Sequence, residues 1–534
     1  MLYQLSYYRV FLNAAAKVRT FVDSRKVFKA FLRHKCFFIS FLFFRTGVFR
    51  YLCRDITIHK LCRRMTIVIL CLVLFGYVLI AYEHLTHINK ATIALFAAVV
   101  GWILFMCTGT DFVLKSHGPE FMSFTQGGPF DAETTKAFIA SHVFVRYSAD
   151  LCSIVLFLLA TMNIVSVLNA NGCFDFITDV VRTKDSRVLL WGLVGFTWLL
   201  SVNLDNFTTT VLMLMIMRRI VQQGRWRMWM GAAIVIAANC GGATSVIGDP
   251  TSLVVWTKGA VTPTDFTAAL ILPTLVATII PTMLISRALP EHIDIVRPTT
   301  HYRGDQSTLS LWQKITMLVV GLGGLWFIPT FHRITLLPPF LGALCVLGVL
   351  WVMHEVMNHR RIKTNQPLFN AEDRQFQFAA LQTVMYFVGV FMCVALLVET
   401  GVMASISGWC DEWIHDIYIM SVAIGAISAL LDNIALVLTA INIYPVAESI
   451  TSLSPTLSPE YAASFLQNGQ YWHLIIYSGC VAGCLLPIGN VSGFTLMKVE
   501  EVSIAWYMRH IMLKVLLGWG VGLGVYFLVD LWLR

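Results

Sequence analysis

Charge is scarce in this sequence. Asp, Glu, Lys and Arg make up 13% of its 534 residues, against 57% hydrophobic. An ordinary soluble domain carries about a quarter charged residues, so a water-soluble protein of this length is excluded, as is a disordered chain. Basic residues are also missing as a feature of the whole. Residues 1–64 hold 14 Lys/Arg and 2 Asp, while the remainder holds 25 Lys/Arg and 28 Asp/Glu. The formal charge of +9 therefore belongs to the first 64 residues, and a nucleic-acid-binding module is excluded. The 13 Cys include no CxxC, and none pairs with a His at zinc-ligand spacing. They read as apolar thiols within spans, not as a secreted disulfide scaffold or a metal site. What remains is an all-α polytopic membrane protein.

The basic segment 1–64 has no run that spans. Its best, Cys36 to Phe44, is short and is followed by Arg45, whereas a span needs about 20 apolar residues. No small-residue cleavage site follows it, which argues against a signal peptide. Two readings stay open: a basic membrane-surface segment, or untranslated sequence with initiation at Met65, which is favoured. Beyond it, hydropathy predicts uninterrupted helices at 66–82, 91–108, 149–169, 266–286, 311–328, 334–353, 377–398 and 508–531. Four further apolar stretches, 188–217, 228–257, 415–444 and 472–497, are interrupted by SVNLDN (Ser201 to Asn206), VIGDP (Val246 to Pro250), SALLDN (Ser428 to Asn433) and PIGN (Pro487 to Asn490). A helix broken at bilayer depth frees backbone groups, tolerated only where it faces protein or a water-filled cavity.

Loop charges set the orientation. Arg182, Lys184 and Arg187 precede the first interrupted stretch, and Arg218, Arg219, Arg225 and Arg227 follow it. Both ends are expected in the cytoplasm, so 188–217 reads as a re-entrant hairpin entering from inside with Asp205 near its tip. Residues 399–416 and 445–472 contain no Lys or Arg, so 415–444 reads as a hairpin entering from outside, with Asp432 at its tip. The basic loops 287–310 and 354–376 fit the cytoplasm. From 66 to 286, and again from 311 to 531, the order is three spans, a hairpin, a broken helix and a span. Ser201, Leu204, Asp205 and Asn206 align with Ser428, Leu431, Asp432 and Asn433. Gly242, Ile247 and Gly248 align with Gly483, Ile488 and Gly489, and Asp249 with Asn490. The expected organisation is a basic extension at 1–64, repeat 1 at 65–286, a cytoplasmic linker at 287–310 and an inverted repeat 2 at 311–534. Inverted repeats with discontinuous helices meeting near the midplane are an architecture of secondary transporters.

An Asp inside the membrane is expensive and marks an ion or proton path. Oxygens of Asp205, Asn206, Ser201, Thr208 and Thr209 on one side, and of Asp432, Asn433 and Ser428 on the other, suit a hard cation. Asp249 and the carbonyls freed at the breaks add to them. Gly242, Gly248, Gly483 and Gly489, with Asn490, would let the backbone turn and approach a ligand. A carboxylate that binds either a proton or a cation makes the two compete. Asp and Asn are also good N-caps, so Asp205 and Asn206 would serve equally to start a helix at 207. Repetition of the pair at matching depth in both halves favours function. Thr208 and Thr209 could merely bond back to the preceding turn. Glu83, His84 and Lys90 read as interfacial, and Glu399 as a solvated carboxylate at an outer helix end.

These motifs resemble the NhaD-type sodium/proton antiporters of the ion transporter superfamily, from about Met65 to the C-terminus. They include YEHLTHINKA (Tyr82 to Ala91), FLLATMNIV (Phe157 to Val165), LLSVNLDNFTT (Leu199 to Thr209), AANCGGATSVIGD (Ala237 to Asp249) and SALLDNIALV (Ser428 to Val437). The resemblance implies a bacterial inner-membrane antiporter exchanging Na⁺ or Li⁺ for H⁺, with no cofactor. It also implies a homodimer in which a hairpin-bearing domain moves in elevator fashion against a dimerising scaffold. The family's motif Asp and Asn residues fall on Asp205, Asn206, Asp249, Asp432 and Asn433. The pattern departs at Ser166, Asn169 and Asn171, where acidic residues and a His are typical, at Ala435, and at Cys484 and Asn490. Two other functions compete. An organic-anion or metalloid-oxyanion carrier of the same superfamily would want neutral tips, and Asp205 and Asp432 would repel an anion. An intramembrane aspartyl protease also needs two embedded Asp, but the sequence has no GxGD.

Overall fold

Apolar runs of this length leave their backbone polar groups nowhere to bond except within a helix. In the computed structural model the chain is helical accordingly. It describes residues 60–86, 88–125, 131–181, 183–294, 309–359, 371–449 and 458–533. Expectations on residues 1–59, on 295–308 of the linker and on the loop arginines Arg182, Arg360 and Arg361 lie outside the described residues. Among those described, seven helices are long and apolar enough to cross a membrane, and Met65–Ala81, Ser186–Ser201 and Ile417–Ser428 are shorter apolar segments.

The first half holds α1 (Lys60–Ala81), α2 (Lys90–Thr108), α3 (Phe144–Ala170), α4 (Ser186–Ser201), α5 (Asn206–Ile220), α6 (Gly224–Gly242), α7 (Pro250–Thr257) and α8 (Pro263–Ser286). The second holds α9 (Leu311–Thr335), α10 (Pro339–Met357), α11 (Ala371–Glu399), α12 (Val402–Trp413), α13 (Ile417–Ser428), α14 (Asn433–Ile441), α15 (Gln470–Ala482), α16 (Val491–Glu500) and α17 (Leu513–Leu533). Each half runs through three long helices, a helical hairpin (α4/α5, α13/α14), a broken helix (α6/α7, α15/α16) and a last long helix.

Two helices outrun their apolar segments. The helix expected at 149–169 extends upstream through a π-turn at Ile139–Val143 to Ala132, capped by Asp131. Arg146 and Asp150 ended the apolar run but not the helix, because both line a cavity on its flank. α9 starts at a capping box, Ser310 with Gln313. It continues past the expected 328 to Thr335 and stops at Leu336, which is left-handed at φ 57°. Pro339 then occupies the first turn of α10, where a missing N–H is harmless.

The broken helices lie at the centre. Every residue of α6 from Trp229 to Gly242 is buried, and every residue of α15 from Tyr471 to Ala482, as expected of helices apolar on all sides. α4 and α5 pack on α6, and α13 and α14 pack on α15. α6 also meets α15 and α16, α5 meets α16, and α7 meets α14, so the hairpins and breaks of both halves form one cluster. α8 and α17 close it by packing on each other, the chain at Gly518 lying where a Cβ would sit 2.8 Å from the Ala277 carbonyl. Small residues permit such approach when helices associate in lipid. Around this cluster, α2 packs on α1 and α11, and α3 on α9, α10 and α11.

Candidate functional site

Four breaks end the same way: a short polar residue caps the helix that follows. Asp205 accepts from the Thr208 N–H at 3.0 Å and the Thr208 hydroxyl at 3.1 Å, both on Oδ2. Asp249 accepts from the Thr251 N–H at 2.8 Å and from its hydroxyl. Asp432 accepts from the Ile434 N–H at 3.1 Å, and Asn490 from the Gly493 N–H at 2.6 Å. Capping is therefore realised at every break. It does not exhaust the carboxylates. Asp249 and Asp432 each cap with one oxygen and turn the other to a distant side chain.

For Asp249 that partner is Asn206, whose Nδ2 donates to Oδ2 at 2.7 Å and contacts Asn239 Oδ1 at 3.2 Å. The tip of the first hairpin is thus bonded to the break of the adjacent helix. Ser492, at the start of α16, donates to the Asn206 carbonyl at 3.3 Å and brings the second half to the same point. Asp205, Asn206, Asp249, Asp432 and Asn433 are all buried. In the second half the aligned pair does not bond. Asn433 donates its backbone N–H to the Gly489 carbonyl at 2.9 Å, while its Nδ2 is buried with no hydrogen-bond partner among the described residues. The reason is the exchange of Asp249 for Asn490, which directs its own amide to the Gly483 carbonyl at 2.9 Å.

Ser201 and Ser428 direct their hydroxyl protons to backbone. Each donates at 2.6 Å to a carbonyl on the neighbouring broken helix, Ala238 and Gly479 respectively, and so ties hairpin to helix in both halves. Thr208 serves Asp205. The Thr209 hydroxyl is buried and has no partner among the described residues. Gly248 and Gly489 pass directly over those hairpins: a Cβ on either would lie 2.6 Å from the carbonyl oxygen of Ser201 or Ser428. Gly242 and Gly483 face Gly248 and Gly489 in turn.

Two residues differ from their sequence reading. Lys90, read as interfacial, sends its ammonium to Asp432 Oδ2 at 2.5 Å, with both side chains largely buried. Glu399, read as solvated, is buried, accepting from the Tyr147 hydroxyl at 2.8 Å and facing His117 Nε2 at 3.0 Å. Neither partner is near in sequence. Asn171 in turn bonds to His354 and Asn358 at the end of α10, at 2.8 Å each.

Glu399, Arg146, Asp150, Lys258 and His332 line a cavity of about 950 Å³ between α3, the end of α7, the end of α14 and α12. His117 sits at its edge. Its imidazolium is held above the ordinary histidine value by the hydrogen bond to Glu399, with burial opposing and Glu120 adding. A histidine with a raised folded pKa stabilises the fold below its unfolded value of about 6.5 and loses that contribution as pH rises through the folded value. Glu399→Gln is therefore expected to lower the thermal unfolding temperature of the purified protein more in acid than in alkali. An equal drop at both would separate His117 from Glu399 energetically.

A family model described as "Citrate transporter" matches residues 63–466. A protein of Arabidopsis thaliana named Sodium/proton antiporter 1 is 29% identical over 466 residues, spanning 85% of this chain and 71% of its own length. Sodium/proton antiporter 2 of the same plant is 27% identical and is covered over 97% of its length. The Na(+)/H(+) antiporter NhaD of Vibrio parahaemolyticus is 26% identical over 387 residues, 67% of this chain and 85% of the relative. These names agree with the resemblance drawn from the hairpin motifs. With its apolar helices and a match over most of its length, the chain belongs to the citrate transporter family and is a multi-pass membrane transporter.

Proposed function

We propose that the chain exchanges Na⁺ or Li⁺ for H⁺, with cation and proton competing at Asp205, Asp249 and Asp432. The observation that carries this is the bond from Asn206 at the first hairpin tip to Asp249 at the adjacent break. It gathers two buried carboxylates, two amides and the Thr208 and Thr209 hydroxyls where backbone is interrupted. Oxygen donors of this kind suit a hard alkali cation, and an intramembrane carboxylate is a functional site by default. The relatives' names support Na⁺ and H⁺ as the ions. Li⁺ and a homodimer come from the resemblance. Residues 65–286 and 311–534 are read as inverted repeats, supported by their common order of elements and by the equivalent bonds of Ser201 and Ser428. Plants as well as bacteria supply the relatives, so the compartment is left as a membrane crossed many times.

The citrate description of the family keeps an organic-anion reading in view. One assay separates the two. Everted vesicles from a host lacking its own sodium antiporters are energised, and collapse of ΔpH is followed on adding Na⁺, Li⁺ or K⁺, with uptake of radiolabelled citrate measured in parallel. Collapse with Na⁺ or Li⁺ that Asp205→Asn and Asp432→Asn both abolish, in protein still present in the membrane, is the expected result. Citrate uptake with no cation-dependent collapse across a broad pH range would overturn the proposal.

A further inference from the structure

We infer that Lys90 is a tethered cation occupying Asp432 in place of the transported one, so that Na⁺ must displace its ammonium to bind there. This deepens the exchange proposed above and rests on it.

Lys90 is the first residue of α2, which packs on α1 and α11, outside the cluster of hairpins and broken helices. Asp432 is the tip of the second hairpin, inside that cluster. The 2.5 Å contact thus crosses from one group of helices to the other. The ammonium also lies 4.2 Å from the centre of the Tyr386 ring on α11, which favours a cation at this spot whatever its source. Beside the pair is a small cavity of about 10 Å³ touching Glu83, Lys90, Asp432, Asn490 and Phe494. That is roughly the room for one water or one dehydrated ion. Asp432 is therefore a carboxylate with an ammonium on one oxygen, and next to it are a space of ionic size, a second carboxylate at Glu83 and the amide of Asn490.

Among the described residues the first half has no such arrangement. There Asp205 and Asp249 are met by neutral donors, Thr208, Thr251 and Asn206. The two tips then differ in kind: one is free to take a cation, the other already holds one on a tether. A tethered ammonium neutralises the vacant tip without any ion from solution. It also weakens cation binding there, because a bound Na⁺ must first break a short buried ion pair. Lys498 reaches Glu83, not Asp432, at 3.6 Å from an exposed position on α16.

The test is Na⁺ titration of the full chain, purified in detergent and read by thermal shift, beside the Na⁺ dependence of ΔpH collapse in vesicles. Choline chloride controls for ionic strength. Lys90→Gln removes the competitor, and its half-saturating Na⁺ is expected to fall at least fivefold while maximal transport also falls. Lys90→Arg supplies a competitor that stays charged and can hold a carboxylate with two bonds, so its half-saturating Na⁺ is expected to rise threefold or more. If Lys90→Gln is absent from the membrane, Lys90→Arg against wild type decides the matter. Unchanged half-saturation in the variants, or a loss of maximal rate alone, would make Lys90 a structural partner and overturn the inference while leaving exchange intact. No Na⁺ response in wild type or either variant would overturn both. A response that appears only in Lys90→Gln would support the tether in its strongest form.

Discussion

Asp249→Asn is expected to bring Na⁺-dependent ΔpH collapse down to that of vesicles lacking the protein, while the variant accumulates in the membrane at close to the wild-type amount. The chain contains its own control for the second half of that statement. Asn490 stands at the aligned position of the other half, in the same extended conformation, and caps α16 through the Gly493 N–H at 2.6 Å. An Asn at 249 can therefore cap α7 as Asp does. What changes is charge and one acceptor. Asn206 Nδ2 loses its acceptor at 249 and keeps the Asn239 amide oxygen at 3.2 Å, and the site loses the carboxylate that would hold a cation or a proton. A buried hydrogen bond to a charged group contributes about 1.5–3 kcal/mol, enough to alter occupancy of the site by a factor of ten or more. Quantitative blotting beside the ΔpH assay checks both parts. Full transport by Asp249→Asn would remove Asp249 from the ion path and reduce its bond with Asn206 to a fold contact.

The converse substitution, Asn490→Asp, addresses the asymmetry between the halves. It would offer an acceptor to Asn433 Nδ2, which has no partner among the described residues. It would also place a carboxylate on the small cavity beside Asp432. Two carboxylates sharing a site disfavour each other's ionisation, so the expected result is a shift in the pH dependence of exchange with the fold retained. An unchanged pH profile would mean that position 490 lies off the ion path.

The breaks were legible in the sequence because polar residues interrupt apolar stretches. SVNLDN, VIGDP, SALLDN and PIGN each fall where a helix stops and another starts. The pairing of Gly248 with Ser201, and of Gly489 with Ser428, was half legible. The residues aligned between the two halves, but nothing in their order says that a serine hydroxyl would reach Ala238 or Gly479. The Lys90–Asp432 pair was not legible. It joins residues 342 apart in the chain, and a lysine at a helix start beside a short loop reads as interfacial unless its partner is known. Glu399 was misread for the same reason, its partners lying on α3 and in the turn before Gly118. Hydropathy also shortened α3, since an average over a window cannot tell a charged residue facing a cavity from one that ends a span.

Gly248→Val is expected to abolish transport by a different route, through loss of folded protein. A Cβ at Gly248 would lie 2.6 Å from the Ser201 carbonyl oxygen, 2.8 Å from that of Gly242 and 2.9 Å from the Gly242 Cα. All three are backbone atoms at a break and cannot rotate aside. The same geometry recurs at Gly489, whose Cβ would meet the Gly483 and Ser428 carbonyls at 2.5 and 2.6 Å. Inserting carbon into a packed interior costs about 1–3 kcal/mol where neighbours can yield, and more is expected here. Pushing the turn at Gly248 away from Ser201 would also draw Asp249, the next residue, off Asn206. Even the fraction that folds is then expected to transport poorly, so Gly248→Ala should combine a lowered unfolding temperature with a raised half-saturating Na⁺. Gly195→Ala provides the comparison: it lies within α4 with no atom near its would-be Cβ. There the gain in helix propensity of about 0.8–1.0 kcal/mol is unopposed, and the unfolding temperature should hold or rise. If Gly248→Ala matches Gly195→Ala in both readouts, the close approach of break to hairpin is not what holds the carboxylates in place.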